Sequence, residues 1–183
     1  MPDTSPPLSP QSLRLFFACW PTAALQQQLH ALGVGLRQQI GGRPTRPENI
    51  HLTLAFVGDV PAQQLPALQQ LAAGITAAPF TLQLQQLGCW PQAAVGWLAP
   101  DQTPEPLLQL VQQLNRDLRQ AGFRGEKRRY RPHLTLLRKA TQGWHSTLET
   151  PLCWQVEEFV LVASTLDAHG PSYRIIGRWP LHG

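Results

Sequence analysis

The sequence is short of cysteine, of charge and of long apolar runs, and each shortage excludes a class of protein. No run of about 18 apolar residues occurs in the 183-residue chain, so no membrane-spanning helix is expected. The 3 cysteines are widely spaced, without a Cys-x-x-Cys motif, which speaks against a disulfide framework, a zinc site or a redox centre. The first residues are polar and proline-rich, unlike a signal peptide. We expect a cytoplasmic protein with reduced thiols.

Charged residues make up only 14% of the chain, but the basic ones are unevenly placed. The formal net charge is +4, and of the 15 basic residues six fall between positions 127 and 139: Lys127, Arg128, Arg129, Arg131, Arg138 and Lys139. A charge run of this kind is often only a solvated surface. Beside a phosphate site, however, it would attract polyanions and hold phosphates in place.

One tetrapeptide occurs twice, as His-Leu-Thr-Leu at positions 51–54 and again at positions 133–136. Both copies lie in short apolar runs bounded by turn-forming residues, a pattern that predicts strands. Because side chains alternate along a strand, His51 and Thr53 share one face and the leucines share the other. The same holds for His133 and Thr135. Each strand thus presents an imidazole beside a hydroxyl, and two such strands could surround an anionic group with acid-base catalysts.

The copies lie 82 positions apart, close to half the chain, as in a duplicated two-lobed fold. Apolar periodicity predicts strands at 13–20, 50–57, 80–87, 94–99, 134–137, 156–165 and 172–179, and a loop at 141–151. Amphipathic helices are predicted at 22–40, 62–77 and 105–121, the first capped by Thr22 and ended by Gly41-Gly42. We expect an α+β fold of two mainly antiparallel sheets, flanked by helices, with the active-site cleft between them.

The repeated motif resembles the twin His-x-Thr-x motifs of the two-histidine (2H) phosphoesterases. The similarity extends from about Arg14 to Trp179, and it is greatest to the bacterial RNA 2′,3′-cyclic phosphodiesterases, also called 2′-5′ RNA ligases. The stretches that carry it are Leu13 to Ala18, Asn49 to Gly58, Val95 to Leu98 and Arg131 to Arg138. The resemblance implies a duplicated, bilobal enzyme that opens 2′,3′-cyclic phosphates to 2′-phosphomonoesters.

By analogy with this family, His51 is the general acid that protonates O3′ and His133 the general base that activates water, although the two roles can be exchanged. Thr53 and Thr135 are placed to donate hydrogen bonds to the phosphate. The scheme requires no metal and no cofactor. The expected partners are RNA or nucleotides with cyclic phosphate ends, and a monomer without membrane association is the default.

Four further residues are candidate substrate contacts. The resemblance favours Arg138 as a phosphate or ribose contact, although an unbroken strand would turn it away from His133. Phe16 could pack on a nucleobase if its face of the first strand lines the cleft, and a core position for it is as consistent with the pattern. Arg131 belongs to the basic cluster, and Tyr130 beside it is a candidate for base stacking.

Three alternative functions stay open on the sequence. RNA 2′-5′ ligation is the same chemistry with a ribose hydroxyl in place of water. A non-catalytic module that binds RNA ends would explain the basic cluster but not the intact motifs. A phosphodiesterase for ADP-ribose 1″,2″-cyclic phosphate differs only in the leaving sugar. We expect a disordered tail at residues 1–12 and a single bilobal domain at residues 13–183.

Overall fold

Strands dominate the residues that the structure, a computed structural model, describes, namely 12–126, 128–167 and 170–182. The nine strands in these ranges are β1 (Ser12–Cys19), β2 (Arg43–Pro44), β3 (Leu52–Pro61), β4 (Phe80–Trp90), β5 (Val95–Pro100), β6 (Leu134–Arg138), β7 (His145–Val156), β8 (Glu158–Asp167) and β9 (Gly170–Pro180). The α-helices are α1 (Ala23–Ile40), α2 (Leu65–Ala73) and α3 (Glu105–Gln120). Short 3-10 turns lie at Pro47–Asn49 and Ala62–Gln64.

The strands pair in the order β7-β4-β5-β6-β3-β1-β8-β9, with β2 beside β6, and all pairings are antiparallel. The predicted α+β class is confirmed. The two halves, which the sequence predicted as separate sheets, are joined between β3 and β6 through the single pair Leu52–Leu134. The last two strands return to the first half of the chain, where β8 pairs with β1.

Helices α1 and α3 each pack on a motif strand from the other half of the sequence. Thr22 caps α1, its Oγ1 accepting the N–H of Leu25 at 3.3 Å, and Gly41 ends the helix with φ +69°, as predicted. Helix α1 packs on β6, where Gly33 lies close to Leu136, whereas α3 packs on β3. Each half of the sheet is therefore covered by a helix from the other half of the sequence.

Apolar side chains occupy both faces of the sheet to different extents. The motif leucines at 52, 54, 134 and 136 are buried in the main core, together with the inner faces of the helices. On the opposite face lies a smaller cluster of Phe16, Ala18, Val160 and Val162. The leucine face of each motif therefore points into the core, as the period of two predicted.

The predicted loop at 141–151 is wrong for most of its length, because β7 begins at His145. Strand β7 lies at the edge of the sheet with β4 as its neighbour, and most of its side chains are exposed or half-buried. An edge strand of this kind lacks the apolar alternation that marks a half-buried strand, and it tolerates Pro151. Helix α2 is shorter than predicted and ends at Ala73, before Gly74.

Two expectations concern parts of the chain that are only partly described. Of the tail predicted at 1–12, residues 1–11 lie outside the described residues, while Ser12 is the first residue of β1. Lys127 of the basic cluster also lies outside them. The single domain at 13–183 stays a prediction. None of the helices within the described ranges is both long and apolar enough to cross a bilayer.

Candidate active site

The two motif strands meet at the centre of the sheet. Leu52 of β3 pairs with Leu134 of β6, and both leucines are fully buried. The residues on either side of each leucine must then point to the opposite face. That face lines a cavity of about 1290 Å³, whose walls include the four predicted catalytic residues, His51, Thr53, His133 and Thr135. The pairing of two leucines thus places both motifs in one cleft.

The tautomer of each motif histidine is fixed by a backbone carbonyl. Nδ1 of His51 lies 2.8 Å from the Asn49 carbonyl oxygen, and Nδ1 of His133 lies 2.8 Å from that of Arg131. A carbonyl only accepts hydrogen bonds, so Nδ1 must carry the proton in both rings. Each neutral imidazole therefore keeps the lone pair on Nε2. In His51 this nitrogen lies 3.1 Å from the Thr53 hydroxyl.

Aromatic side chains hold both imidazoles. Three rings have centroids 5.0 to 5.2 Å from that of His51, with Trp20 stacked and the others tilted or edge-on: Phe16, Trp20 and Tyr173. On the other side of the cleft, Trp90 meets His133 edge-on at 4.7 Å. These rings restrict rotation of the imidazoles and displace water from them.

Both histidines are poorer bases than a free imidazole. The pKa of His51 is lowered from 6.5 to about 4, mainly by burial and also by the charges of Arg138 and His133, while the hydrogen bond to Asn49 opposes the shift. Burial and the Arg138 charge likewise lower the pKa of His133. In the free protein both rings are neutral at pH 7. A phosphate anion bound between them would raise both pKa values, since it stabilises the charged form.

A β-bulge brings Arg138 into the cleft. Along β6 the pairing advances from Thr135 to Leu137 while β5 advances by one residue, from Trp97 to Gly96. The extra residue, Leu136, reverses the alternation of side chains. Leu136 and Leu137 are consequently both buried, and Arg138 returns to the face of His133 and lines the cavity. An unbroken strand would have pointed this arginine the other way.

The first motif has the same bulge at the same place. The pairing of β3 advances from Thr53 to Ala55 while β1 moves from Ala18 to Phe17. Phe56, five residues after His51, therefore occupies the position that Arg138 occupies after His133, and it also lines the cavity. Its side chain is 58% exposed. The sequence reasoning missed Phe56, although its equal distance from the motif histidine was a usable signal.

Basic side chains line the cleft far more often than acidic ones. Among the described lining residues the only acid is Glu126, and the bases are Arg14, Arg43, Arg46, Arg124, Arg128, Arg138 and Lys139. The basic cluster predicted around the second motif supplies three of them, Arg124 precedes that cluster, and the other three come from the first 46 residues. This balance favours an anionic ligand.

The remaining predicted contacts have structural partners of their own. Phe16 is only 3% exposed and packs under His51, so it offers little area to a nucleobase. The Tyr130 hydroxyl donates to the Thr53 carbonyl oxygen at 2.9 Å and ties the basic loop to β3. The Arg131 carbonyl orients His133. Neither Tyr130 nor Arg131 is among the described residues that line the cleft, and substrate contacts for them stay predictions.

Two other histidines of the described residues, His30 and His182, do not line the cleft. His30 lies in α1, where its Nδ1 donates to the Thr45 carbonyl, and His182 lies near the end of the chain. Within the described ranges, no group of three or more His, Cys, Asp or Glu side chains is arranged to hold a metal ion.

A cationic cleft with two His-x-Thr pairs, at the junction of a duplicated antiparallel sheet, defines a two-histidine phosphoesterase.

Comparisons with known proteins agree with this class. A model of the LigT-like phosphoesterase family matches the chain twice, over residues 20–97 and 98–173, so the chain belongs to that family. An Escherichia coli protein named RNA 2′,3′-cyclic phosphodiesterase is 36% identical over 171 residues, which cover 92% of this chain and 96% of that protein. A protein of the same name from Thermus thermophilus is 29% identical over 182 residues, covering 93% and 91%.

Solved structures give the same result for the fold. A crystal structure of E. coli LigT complexed with 3′-AMP has a TM-score of 0.85 at 35% identity, and the match covers 94% of this chain and 100% of that chain. A second structure, from Thermus thermophilus, has a TM-score of 0.78 at 29% identity and covers 93% of this chain and 99% of its own. The double match to the family model also agrees with the duplication that the repeated motif predicted.

Proposed function

We propose that this protein is an RNA 2′,3′-cyclic phosphodiesterase that converts cyclic phosphate ends into 2′-phosphomonoesters. The observation that carries the proposal is the pair of imidazoles with fixed Nδ1–H tautomers in one cationic cleft, each two residues from a threonine. The names of the E. coli and Thermus thermophilus relatives support it.

Hydrolysis of the cyclic phosphate needs a base and an acid on opposite sides of phosphorus. His133 accepts a proton from water at Nε2 as the water oxygen bonds to phosphorus. The bond from phosphorus to O3′ breaks, and protonated His51 donates its Nε2 proton to O3′. The 2′-ester bond remains, and the product is a 2′-phosphomonoester with a free 3′-hydroxyl. The family resemblance assigns these two roles.

The other polar residues stabilise charge on the phosphate. In the free protein the Thr53 hydroxyl is bound to His51, and it can rotate to donate to a non-bridging oxygen. The Thr135 hydroxyl can donate to the phosphate from the second motif. Arg138 neutralises the phosphate, and this compensates for its unfavourable effect on imidazolium formation. The arriving phosphate raises the pKa of the acid, so the proton is taken up when substrate binds.

The surroundings of the motifs favour an RNA end over a bare phosphate. Phe56 presents an exposed ring in the cleft, on which a nucleobase can stack. The surplus of lining arginines provides partners for backbone phosphates. We infer that the partners are RNA or nucleotides with 2′,3′-cyclic ends and that the protein acts as a cytoplasmic monomer without a metal or cofactor.

Mass spectrometry of a short oligoribonucleotide with a 2′,3′-cyclic phosphate tests the proposal. Hydrolysis adds one water to the mass, whereas ligation to a second oligonucleotide with a 5′-hydroxyl joins the two masses. We expect hydrolysis to dominate, because water is the more abundant nucleophile, and the double variant Thr53→Val, Thr135→Val to be slower by two orders of magnitude or so. Tight binding of the oligonucleotide without any change of mass would favour a binding module instead.

A further inference from the structure

A second cavity adjoins the active-site cleft. This smaller cavity, of about 430 Å³, shares three lining residues with the main one: Arg14, Gly58 and Arg124. Gly58 lies in β3 with φ +88°, and a Cβ added there would meet no atom within 4 Å, so the space beside this shared wall residue is open. Arg14 and Arg124 line both cavities.

Arg14 lies beyond the catalytic centre along the sheet. On β1, Phe16 is paired with Phe56, and Arg14 is two residues nearer the start of the strand. Two residues of an extended strand span about 7 Å. The order along the cleft is therefore the two motif histidines, then the exposed ring of Phe56, then Arg14. An RNA strand with its 3′ end at the motif histidines would pass Phe56 and then Arg14 on its 5′ side.

Arg124 lies on a loop that is held in place from both sides. The N–H of Phe123 donates to the Leu118 carbonyl oxygen at 2.8 Å, and the N–H of Glu126 donates to Asn115 Oδ1 at 2.8 Å. Asn115 is itself only 8% exposed and donates to the Val111 carbonyl. The backbone on either side of Arg124 is thus anchored to α3, so less entropy is lost when its side chain binds a ligand.

Neither arginine has an acidic partner among the described residues. Two ion pairs between described residues, Arg116–Asp117 and Arg178–Glu158, both lie outside the cleft. Among the described residues two acids line the cavities. Asp59 lies opposite Arg14 in the pairing of β1 with β3, and Glu126 accepts the N–H of Arg128 at its Oε1 at 3.0 Å. No ion pair joins either acid to Arg14 or Arg124 in the described structure. Two such guanidinium groups in the walls of the same two cavities form a site for an anion.

We propose that Arg14 and Arg124 bind the phosphodiester on the 5′ side of the terminal nucleotide. The inference rests on the proposed function, with the cyclic phosphate between the motif histidines and the terminal base on Phe56. Its consequence is a preference for RNA ends of at least two nucleotides over cyclic mononucleotides, which have no such phosphodiester to offer.

The test compares matched substrates and matched variants. Wild type, Arg14→Ala, Arg124→Ala and Arg37→Ala are assayed on adenosine 2′,3′-cyclic phosphate and on a diadenylate with the same cyclic end. Arg37 is an exposed residue of α1 outside both cavities. Its variant therefore controls for the loss of one positive charge without a change in either cavity. We expect each cleft variant to lose about tenfold in kcat/KM on the dinucleotide and less than twofold on the mononucleotide.

Salt dependence gives a second readout. In the double variant Arg14→Ala, Arg124→Ala, the slope of log kcat/KM for the dinucleotide against log salt concentration should become shallower by about 0.7, the value for one phosphate on a single strand. Equal losses on both substrates, or the same loss in Arg37→Ala, would overturn the subsite and leave the hydrolytic function intact. Failure of wild type to turn over either substrate would overturn both.

Discussion

At the residue scale, the properties of the site follow from what surrounds two imidazoles. Each donates Nδ1–H to the carbonyl two residues earlier, so Nε2 is the nitrogen that meets a ligand. This bond is local and repeats wherever the motif adopts the same turn. The pKa values are not local, since they depend on burial among aromatic rings that come from several strands.

The catalytic pair gives the first prediction. Replacing His133 by Asn removes the base, and we expect kcat/KM for a cyclic phosphate substrate to fall by about 10²–10⁴-fold. The control is His182→Asn, near the end of the chain and outside the cleft, which should retain full activity. Steady-state kinetics measures the loss of kcat/KM, and circular dichroism shows whether each variant is folded. A folded His133→Asn protein with wild-type activity would refute the proposed role.

Arg138 provides a prediction about electrostatics. Its charge lowers the pKa of both motif histidines, so Arg138→Gln should raise both values in the free protein. The same variant should bind phosphate more weakly. NMR titration of the imidazole carbon-bound protons measures the pKa values directly, with Arg37→Gln as the control for net charge. Unchanged histidine titrations in Arg138→Gln would show that the arginine lies too far from the imidazoles to act on them.

Stability should also depend on His51 in a defined range of pH. The unfolded chain protonates this histidine near its ordinary pKa of 6.5, whereas the folded protein does so only near 4. Between these values the unfolded state binds more protons, so the contribution of His51 to the free energy of unfolding is present above pH 6.5 and is lost as the pH falls towards 4.

Urea denaturation of wild type and His51→Asn at pH 7.5 and pH 4.5 tests this linkage. The difference in the free energy of unfolding, wild type minus variant, should be larger at pH 7.5. Carboxylates titrate in both proteins, and their effect cancels in the difference. A difference that stays constant, or that grows on acidification, would mean that the folded-state pKa of His51 is not depressed.

At the element scale, the sequence predicted the strands and helices that have one apolar face. Thr22 and Gly41 identified the ends of α1, and the motif leucines identified the buried faces of β3 and β6. Strand β7 was not predicted, because an edge strand needs no apolar alternation. The bulges after Thr53 and Thr135 were not predicted either, since an extra residue in a strand has no characteristic composition. These bulges determine the face of the sheet on which Phe56 and Arg138 lie.

The packing of α1 on β6 yields a prediction at this scale. A Cβ at position 33 would lie 3.0 Å from the Leu136 carbonyl oxygen, so Gly33→Leu should overpack the contact and destabilise the protein by about 1–3 kcal/mol. At position 35 on the same helix a Cβ meets no atom within 4 Å, and Gly35→Ala should stabilise by about 0.5–1 kcal/mol. Thermal denaturation of the two variants would show opposite shifts.

Two similar shifts would contradict the close approach of α1 to β6. Because Leu136 is the bulged residue of the second motif, Gly33→Leu should also reduce activity, while Gly35→Ala should leave it unchanged. A destabilised Gly33→Leu protein with full activity would show that the bulge keeps its shape when the helix is displaced.

At the scale of the whole molecule, duplication explains the symmetry of the motifs but not the differences between them. The repeat distance predicted two equivalent strands, and the family model matches each half. What the repeat could not predict is the bulge in each motif strand, which turns the Phe56 ring and the Arg138 guanidinium into the cleft. It also could not show that Arg14, Arg43 and Arg124, far apart in the chain, line one cleft. Such contacts depend on tertiary packing.

Phosphorus NMR of a 2′,3′-cyclic nucleotide incubated with the purified protein and EDTA tests the central claim, metal-independent hydrolysis by the two motif histidines. We predict that the cyclic phosphate signal is replaced by that of the 2′-phosphomonoester alone and that the His51→Asn, His133→Asn double variant leaves the cyclic signal unchanged. A 3′-phosphomonoester would contradict the assignment of O3′ as the leaving oxygen. A cyclic signal that persists with wild type, on this substrate and on the dinucleotide, would contradict the hydrolytic function itself.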